Sequence, residues 1–187
     1  MQEAREAWKE KKASMDRARF VFIDESSINT GMTRIYGRGL IGERVFDYVP
    51  DTRDERLTIL SSLRMDGTME ALVFEGALNG ELFTGYMKNC LAPTLREGDV
   101  VIMDNLSSHK VSGLEEIVKE CGARIEYLPP YSPDLNPVEN MWSKMKAHLR
   151  HVKKRCKETL FEAVGVALRT VTDQDARGWF EYCGYCS

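Results

Sequence analysis

The sequence lacks any apolar run of the roughly 18 to 20 residues needed to cross a bilayer. Its N-terminus is charged where a signal peptide would be hydrophobic. Cysteine is sparse and odd in number, with five in 187 residues, which argues against a disulfide framework. These features predict one globular domain in the cytoplasm, associated with the nucleoid if it handles DNA, and no membrane contact.

Zinc ligands are also scarce. The chain has three histidines, and the one Cys-x-x-Cys pair, Cys183 and Cys186, has no second pair or suitably spaced histidine. A metal site in this protein would therefore be built from carboxylate oxygens, which Mg²⁺ or Mn²⁺ prefer.

Net positive charge is missing as well, since the formal net charge is −3, yet the charge is unevenly distributed. Between Lys144 and Lys157 there are seven Lys or Arg residues, two His and no acid. A solvated helix face usually mixes signs to gain ion pairs, so this block favours DNA contact, with a merely solvated face as the alternative.

The order of periodic segments predicts an α/β fold. Residues 2–17 read as a polar, linker-like helix, and residues 19–24, 33–46, 56–63 and 68–76 as β-rich runs, with a hairpin turn at Asp66-Gly67. A helix from Asn79, strands at 98–104 and 123–128, and three helices from Pro137 onward follow. Capping boxes are predicted at Ser112/Glu115 and Thr159/Glu162. We expect a mixed five-stranded sheet flanked by helices.

Two acids end apolar strands in the same way, Asp24 in RFVFID and Asp104 in DVVIMD. If those strands are parallel neighbours, the two carboxylates lie side by side. Each acid taken alone has a structural alternative as a turn or cap residue.

Glu139 falls at the third position of a helix that Asn136 caps and Pro137 begins, where a carboxylate also complements the helix dipole. The proline-rich segment before it fixes the approach of the chain. Three acids from two strand ends and one helix start suit two-metal phosphoryl chemistry, so Asp24, Asp104 and Glu139 are the candidate catalytic and metal-binding residues, with two Mg²⁺ or Mn²⁺ ions.

The same helix continues Glu139 into a basic track. Lys146, Arg150 and Lys153 follow Glu139 at 7, 11 and 14 positions along the chain, beside the apolar stripe. With Lys154 and Arg155 they are the candidate DNA-contact residues, which would bind the phosphate backbone without reading its sequence.

Three segments, FIDES (22–26), VIMDNLSSHK (101–110) and LPPYSPDLNPVENMWSKMK (128–146), resemble the catalytic blocks of the DDE transposases of the mariner-like superfamily, especially its bacterial insertion-sequence branch. The resemblance spans about residues 19–182. It implies a ribonuclease-H-like fold, the triad Asp24, Asp104 and Glu139 holding two Mg²⁺ ions, cleavage at terminal inverted repeats, and joining of the 3′-ends to target DNA. A homodimer on DNA is implied in the same way.

Other matched positions have open roles. His109, in the second block, is a candidate to orient a ligand or contact DNA, with a plain structural role equally open. Asp134 is interpreted as a turn residue rather than a fourth ligand.

Members of this family normally carry N-terminal helix-turn-helix domains, whereas this sequence has only some eighteen residues before its first predicted strand. The division expected here is therefore a helical linker remnant at 1–17 and a ribonuclease-H-like catalytic domain at 18–187, with the helix-turn-helix domain absent from this sequence. Two alternatives to a strand transferase stay open: an inactive or adopted DNA-binding domain, and a ribonuclease-H-like nuclease that cuts without joining.

Overall fold

The computed structural model describes residues 2–49, 55–105 and 111–186. These residues form a five-stranded sheet with helices on both of its faces. The strands are β1 (Phe20–Asn29), β2 (Arg56–Arg64), β3 (Ala71–Glu75), β4 (Val100–Met103) and β5 (Arg124–Tyr127). The helices are α1 (Gln2–Ala13), α2 (Gly80–Tyr86, continued by a π turn at Met87–Leu91), α3 (Leu114–Glu120), α4 (Pro137–Val152), α5 (Lys157–Arg169) and α6 (Asp173–Tyr182). Short 3₁₀ turns lie at Arg17–Arg19, Ala92–Thr94 and Pro133–Leu135.

The sheet is mixed, in the order β3-β2-β1-β4-β5. The first three strands are antiparallel and meander through the predicted Asp66-Gly67 turn, where Gly67 has a φ of 82°. Strands β4 and β5 join parallel to β1. The predicted mixed five-stranded sheet and the parallel pairing of its first and fourth strands are thus confirmed.

Side chains of β1 alternate between two apolar layers, as a strand flanked by helices on both faces requires. Phe20 and Phe22 point into the layer formed with α4, α5 and α6. Val21 and Ile23 point into the opposite layer, formed with α2 and α3. Continuing this alternation places Asp24 on the face that α4 covers.

Helix α1 packs against the rest of the domain through one large aromatic residue. Trp8 is 4% exposed and belongs to the core layer that contains α4. Its indole Nε1–H donates to the hydroxyl of Tyr185 over 3.2 Å. The sequence predicted a linker-like helix because a single tryptophan does not make an apolar stripe. The structure docks the helix through that tryptophan and through polar contacts of Arg5, Lys11 and Lys12.

The prediction of a β-rich run at 33–46 is wrong, because residues 33–49 form neither strand nor helix. Strand β1 already pairs with β2 on one side and β4 on the other, so no sheet edge is left beside it. The apolar side chains of this segment, including Tyr36 and Phe46, are exposed instead of alternating between core and solvent.

Two predicted capping boxes are also wrong. Helix α3 begins after Gly113, whose φ of 86° suits glycine, and Ser112 lies outside it. Helix α5 begins at Lys157, so Thr159 is already inside the first turn and its hydroxyl donates to the Cys156 carbonyl. The capping box that does form joins Thr172 and Asp175 at the start of α6.

All five cysteines, each within the described ranges, are free. Burial raises the pKa of the Cys183 thiol to about 11, so this thiol is protonated at neutral pH and is a poor nucleophile. Of the helices in the described ranges, none combines the length and the apolar character needed to span a bilayer.

Candidate active site

The carboxylate of Asp24 is buried against the start of α4. Asp24 is 8% exposed. The two oxygens of its carboxylate accept three hydrogen bonds, all from neutral groups. The backbone N–H of Glu25 donates to Oδ1 over 2.9 Å. The Asn136 amide and the Trp142 indole donate to Oδ2 over 3.1 and 3.2 Å. These donors fix the orientation of the carboxylate.

The ionised form of Asp24 is nevertheless unfavourable in the metal-free protein. Burial is the largest cause, and the negative charges of Glu139, Glu25 and Asp104 add to it, while the Glu25 N–H acts in the opposite direction. Together they raise the pKa of Asp24 from 3.8 to about 8. A cation bound next to Asp24 would reverse this balance, so the environment fits a metal ligand.

This pKa predicts how stability depends on pH. The folded protein holds a proton on Asp24 that the unfolded chain releases near pH 3.8, so the stability from that proton is lost as pH rises from about 4 to about 8. We expect the free energy of unfolding of Asp24→Asn, relative to wild type, to rise by roughly 3–5 kcal/mol from pH 4 to pH 8. Urea titrations at both pH values measure it.

Magnesium provides the internal control for that experiment. At pH 8, Mg²⁺ should stabilise the wild type and leave Asp24→Asn unchanged. A wild type and variant with parallel pH profiles, or equal responses to Mg²⁺, would contradict this assignment.

Asp104 lies directly after β4. The register pairs Phe20 with Val100 and Phe22 with Ile102, so the same register continued by two residues sets Asp104 opposite Asp24. Asp104 is half-buried and contributes to the negative field at Asp24. The backbone therefore places these two acids beside each other, as the sequence predicted.

Glu139 is carried to the same place by the start of α4. Asn136 caps the helix by accepting a hydrogen bond from the Val138 N–H over 3.2 Å, Pro137 occupies the first turn, and the Glu139 N–H donates to the Asn136 carbonyl over 3.2 Å. The predicted cap is confirmed. Glu139 is exposed, in contrast to Asp24.

The three acids line one cavity of about 340 Å³. The rest of its wall comes from Asn105, Leu128, the proline-rich segment 129–133 and Asn136. Across residues 2–49, 55–105 and 111–186, no group of three or more His, Cys, Asp or Glu side chains is compact enough to hold a metal ion as it stands. The cavity therefore brings the three acids to one opening without placing them close enough together to hold an ion as they stand.

Three residues have roles that sequence reasoning missed, and two of them, Asn136 and Tyr131, lie on the cavity wall. The Asn136 amide and the Trp142 indole orient Asp24, although the sequence suggested only a cap and a core residue. Tyr131 is 89% exposed on the wall and has a φ of 55°, a left-handed conformation unusual for a bulky side chain. An exposed aromatic ring beside a carboxylate cavity is a surface on which a base can stack.

The basic residues predicted to contact DNA differ in their interactions within the protein. Lys146 and Arg150 lie half-buried on α4 and, among the described residues, form no ion pair. Lys153 ends α4 in a left-handed conformation and pairs with Asp47. Arg155 donates to the carbonyls of Thr30 and Met32.

The remaining predicted DNA contacts are less informative. Lys154 is half-buried after the end of α4. His109 lies outside the described residues. Asp134 lies in the 3₁₀ turn before α4 and is paired with Arg5 over 2.5 Å, in keeping with its interpretation as a turn residue.

A family model described as "DDE superfamily endonuclease" matches residues 19–161. No curated protein matches the chain. Solved structures that do match include the Mos1 transposase paired-end complex with left transposon end, at a TM-score of 0.75 and 15% identity, covering 95% of this chain and 56% of that one. The Mos1 strand transfer complex matches with a TM-score of 0.69 and 16% identity, over 95% and 55% of the two chains.

The catalytic domain of Mos1 mariner transposase matches with a TM-score of 0.61 and 12% identity, over 95% of this chain and 83% of that one. Mos1 paired-end complexes with Mg and with Mn match in the same way. These similarities confirm the ribonuclease-H-like fold. The chain spans just over half the length of the first two matched structures.

Proposed function

Because this chain belongs to the DDE superfamily endonuclease family, we propose that it is the catalytic domain of a transposase that cuts DNA at the ends of a mobile element and joins the free 3′-ends to target DNA. The observation that carries the proposal is the meeting of Asp24, Asp104 and Glu139 at one cavity. The structural neighbours include a strand transfer complex, which supports the joining step. We further assign the chain to the bacterial insertion-sequence branch, on the sequence blocks that resemble it.

Two Mg²⁺ or Mn²⁺ ions are part of this proposal. Asp24, Asp104 and Glu139 would hold them, and the environment of Asp24, buried among negative charges, supports that assignment. The complexes of Mos1 with Mg and with Mn support the choice of metal. When bound, the ions would activate the attacking oxygen and stabilise the charge on the leaving oxygen of an in-line phosphoryl transfer.

Protein side chains would orient the metal ligands and bind the DNA. Asn136 and Trp142 hold the Asp24 carboxylate in one orientation by donating hydrogen bonds to its Oδ2 atom. Glu139 is exposed at the beginning of α4 and lines the same cavity as the two aspartates. Lys146 and Arg150, further along α4, would hold the DNA backbone, and the exposed ring of Tyr131 offers a stacking surface for an unpaired base.

The proposed partners are the inverted-repeat ends and the target DNA, with two copies of the chain bringing two ends together in the cytoplasm at the nucleoid. One reaction distinguishes this proposal from its alternatives. The protein is incubated with a pre-cut element end, a supercoiled target and Mn²⁺. Joined products support strand transfer, nicks alone indicate a nuclease, and DNA retention without reaction indicates a binding domain.

The basic track gives a separate prediction about DNA affinity. Changing Lys146 and Arg150 together to Ala should reduce the slope of log affinity against log salt concentration by about 2, because each phosphate contact contributes about 0.9. Fluorescence anisotropy with a labelled duplex at several salt concentrations measures the slope.

Lys88 is a matched control, because it is exposed after α2, on the opposite face of the sheet. The Lys88→Ala variant should keep the wild-type slope. An unchanged slope in the double variant would remove α4 from the DNA-binding surface.

A further inference from the structure

We propose that helix α1 positions the carboxylate site. Arg5 and Trp8 of α1, together with Tyr185 near the C-terminus, hold the turn at 132–135 from which α4 presents Asn136 and Glu139. This inference rests on the proposed function for the role of those carboxylates. It makes Arg5 and Tyr185 positioning residues, since neither lines the cavity.

The guanidinium group of Arg5 forms hydrogen bonds with the turn at 132–135. Nη1 donates to Ser132 Oγ over 2.9 Å and to Asp134 Oδ1 over 3.0 Å, and Nη2 donates to Asp134 Oδ2 over 2.5 Å. This two-pronged pairing with one carboxylate is the geometry that arginine forms best. Hydrogen bonding to Arg5 also holds the pKa of Asp134 below its ordinary value. The contact is partly open to solvent, so its main effect is to fix geometry rather than to add stability.

A second, buried contact reaches the next residue of the turn. The Tyr185 hydroxyl accepts from Trp8 Nε1 over 3.2 Å and donates to the Leu135 carbonyl over 2.7 Å. Tyr185 is 1% exposed and its ring packs against Phe20 and Phe22. Removing the hydroxyl would leave a buried carbonyl and a buried indole N–H without this partner, which is costly away from water.

The turn controls the site because Leu135 is followed at once by Asn136. The Asn136 side chain both caps α4 and donates to Asp24, and its carbonyl accepts from the Glu139 N–H. A displacement of the turn would therefore move a donor of Asp24 and the first turn that carries Glu139 together. Hydrogen bonds that orient a metal ligand typically change metal affinity by about 10- to 100-fold when they are lost.

The test uses the whole chain and the variants Arg5→Ala, Arg5→Lys and Tyr185→Phe. Lys9→Ala is the matched control, because Lys9 lies on α1 and its one ion pair among the described residues is with Glu6 of the same helix. The measurements are Mn²⁺ affinity by electron paramagnetic resonance, amide hydrogen exchange of residues 132–142 in the metal-free protein, and kcat and KM of the joining reaction.

Arg5→Ala and Tyr185→Phe should each weaken Mn²⁺ binding about 10-fold. Both variants should also speed amide hydrogen exchange at residues 132–142 more than in α5. In addition, both should lower kcat and leave the KM for DNA unchanged. Arg5→Lys should restore part of the affinity, because lysine keeps the charge but not the two-pronged geometry. Lys9→Ala should match the wild type in all of these measurements.

Wild-type affinity and exchange in Arg5→Ala and Tyr185→Phe would overturn the inference, and so would faster exchange spread evenly over all helices. If the wild type binds Mn²⁺ and Asp24→Asn does not, the metal site on which the proposed function depends stands whatever these variants do. If the wild type binds no Mn²⁺, the proposed function fails, and exchange at 132–142 still decides whether α1 holds the turn.

Discussion

Asp24→Asn, Asp104→Asn and Glu139→Gln are each expected to lower DNA cleavage and joining by at least about a thousandfold, a barrier increase of roughly 4 kcal/mol. Each amide keeps the size of the side chain and removes one negative charge from the proposed metal-binding group. If the three acids share two ions, as proposed, loss of one ligand would disable the whole site. Initial rates on a pre-cut end with Mn²⁺ and a supercoiled target measure the effect.

DNA affinity should change less than about threefold in these variants, because the backbone contacts are assigned to α4 rather than to the acids. Asp173→Asn is the matched control, an exposed acid in the first turn of α6 that does not line the cavity. It should react at the wild-type rate. Near-normal turnover in any of the three amide variants would remove that residue from the triad.

Arg64→Met is expected to destabilise the protein by about 3–5 kcal/mol. Arg64 is 5% exposed and its Nη2 lies 2.5 Å from Oδ2 of Asp99, which is 0% exposed. Within the described part of the chain, Oδ1 of Asp99 has no hydrogen-bond partner. Losing the guanidinium would leave a buried carboxylate whose remaining donor is the Arg96 N–H.

Urea unfolding of the variant measures this loss, with Arg124→Met as the comparison. Arg124 pairs with Glu126 on β5 but its side chain is 53% exposed, so its removal should cost at most about 1 kcal/mol. The double variant Arg64→Met, Asp99→Asn should be more stable than Arg64→Met alone, because the unpaired charge is removed as well. Equal losses in Arg64→Met and Arg124→Met would mean that burial does not strengthen the pair.

The parts of the site that depend on local rules could be predicted from the sequence. Asp24 and Asp104 each end an apolar strand, and parallel strands bring such ends together. The cap at Asn136 and the proline at 137 place Glu139 in the first turn of its helix without reference to anything distant in the chain. At Asn136 and Pro137 local spacing was sufficient, whereas the capping boxes predicted by the same kind of spacing at Ser112 and Thr159 did not form.

The parts that depend on distant pairs could not be predicted. Nothing near Arg64 in the sequence indicates Asp99, and nothing near Trp8 indicates Tyr185, because these partners are chosen by the packing of whole elements. The run at 33–46 failed for a related reason, since its β-rich composition says nothing about whether a sheet edge is free. The missed donors Asn136 and Trp142 share this origin: their bonds to Asp24 span more than a hundred residues.

A crystal structure of the protein with Mn²⁺, collected at a wavelength where manganese scatters anomalously, tests the central claim most directly. The account predicts two anomalous peaks in the cavity, roughly 3.5–4 Å apart, with oxygens of Asp24, Asp104 and Glu139 as ligands. An empty cavity at saturating Mn²⁺, or manganese bound without these carboxylates, would contradict it.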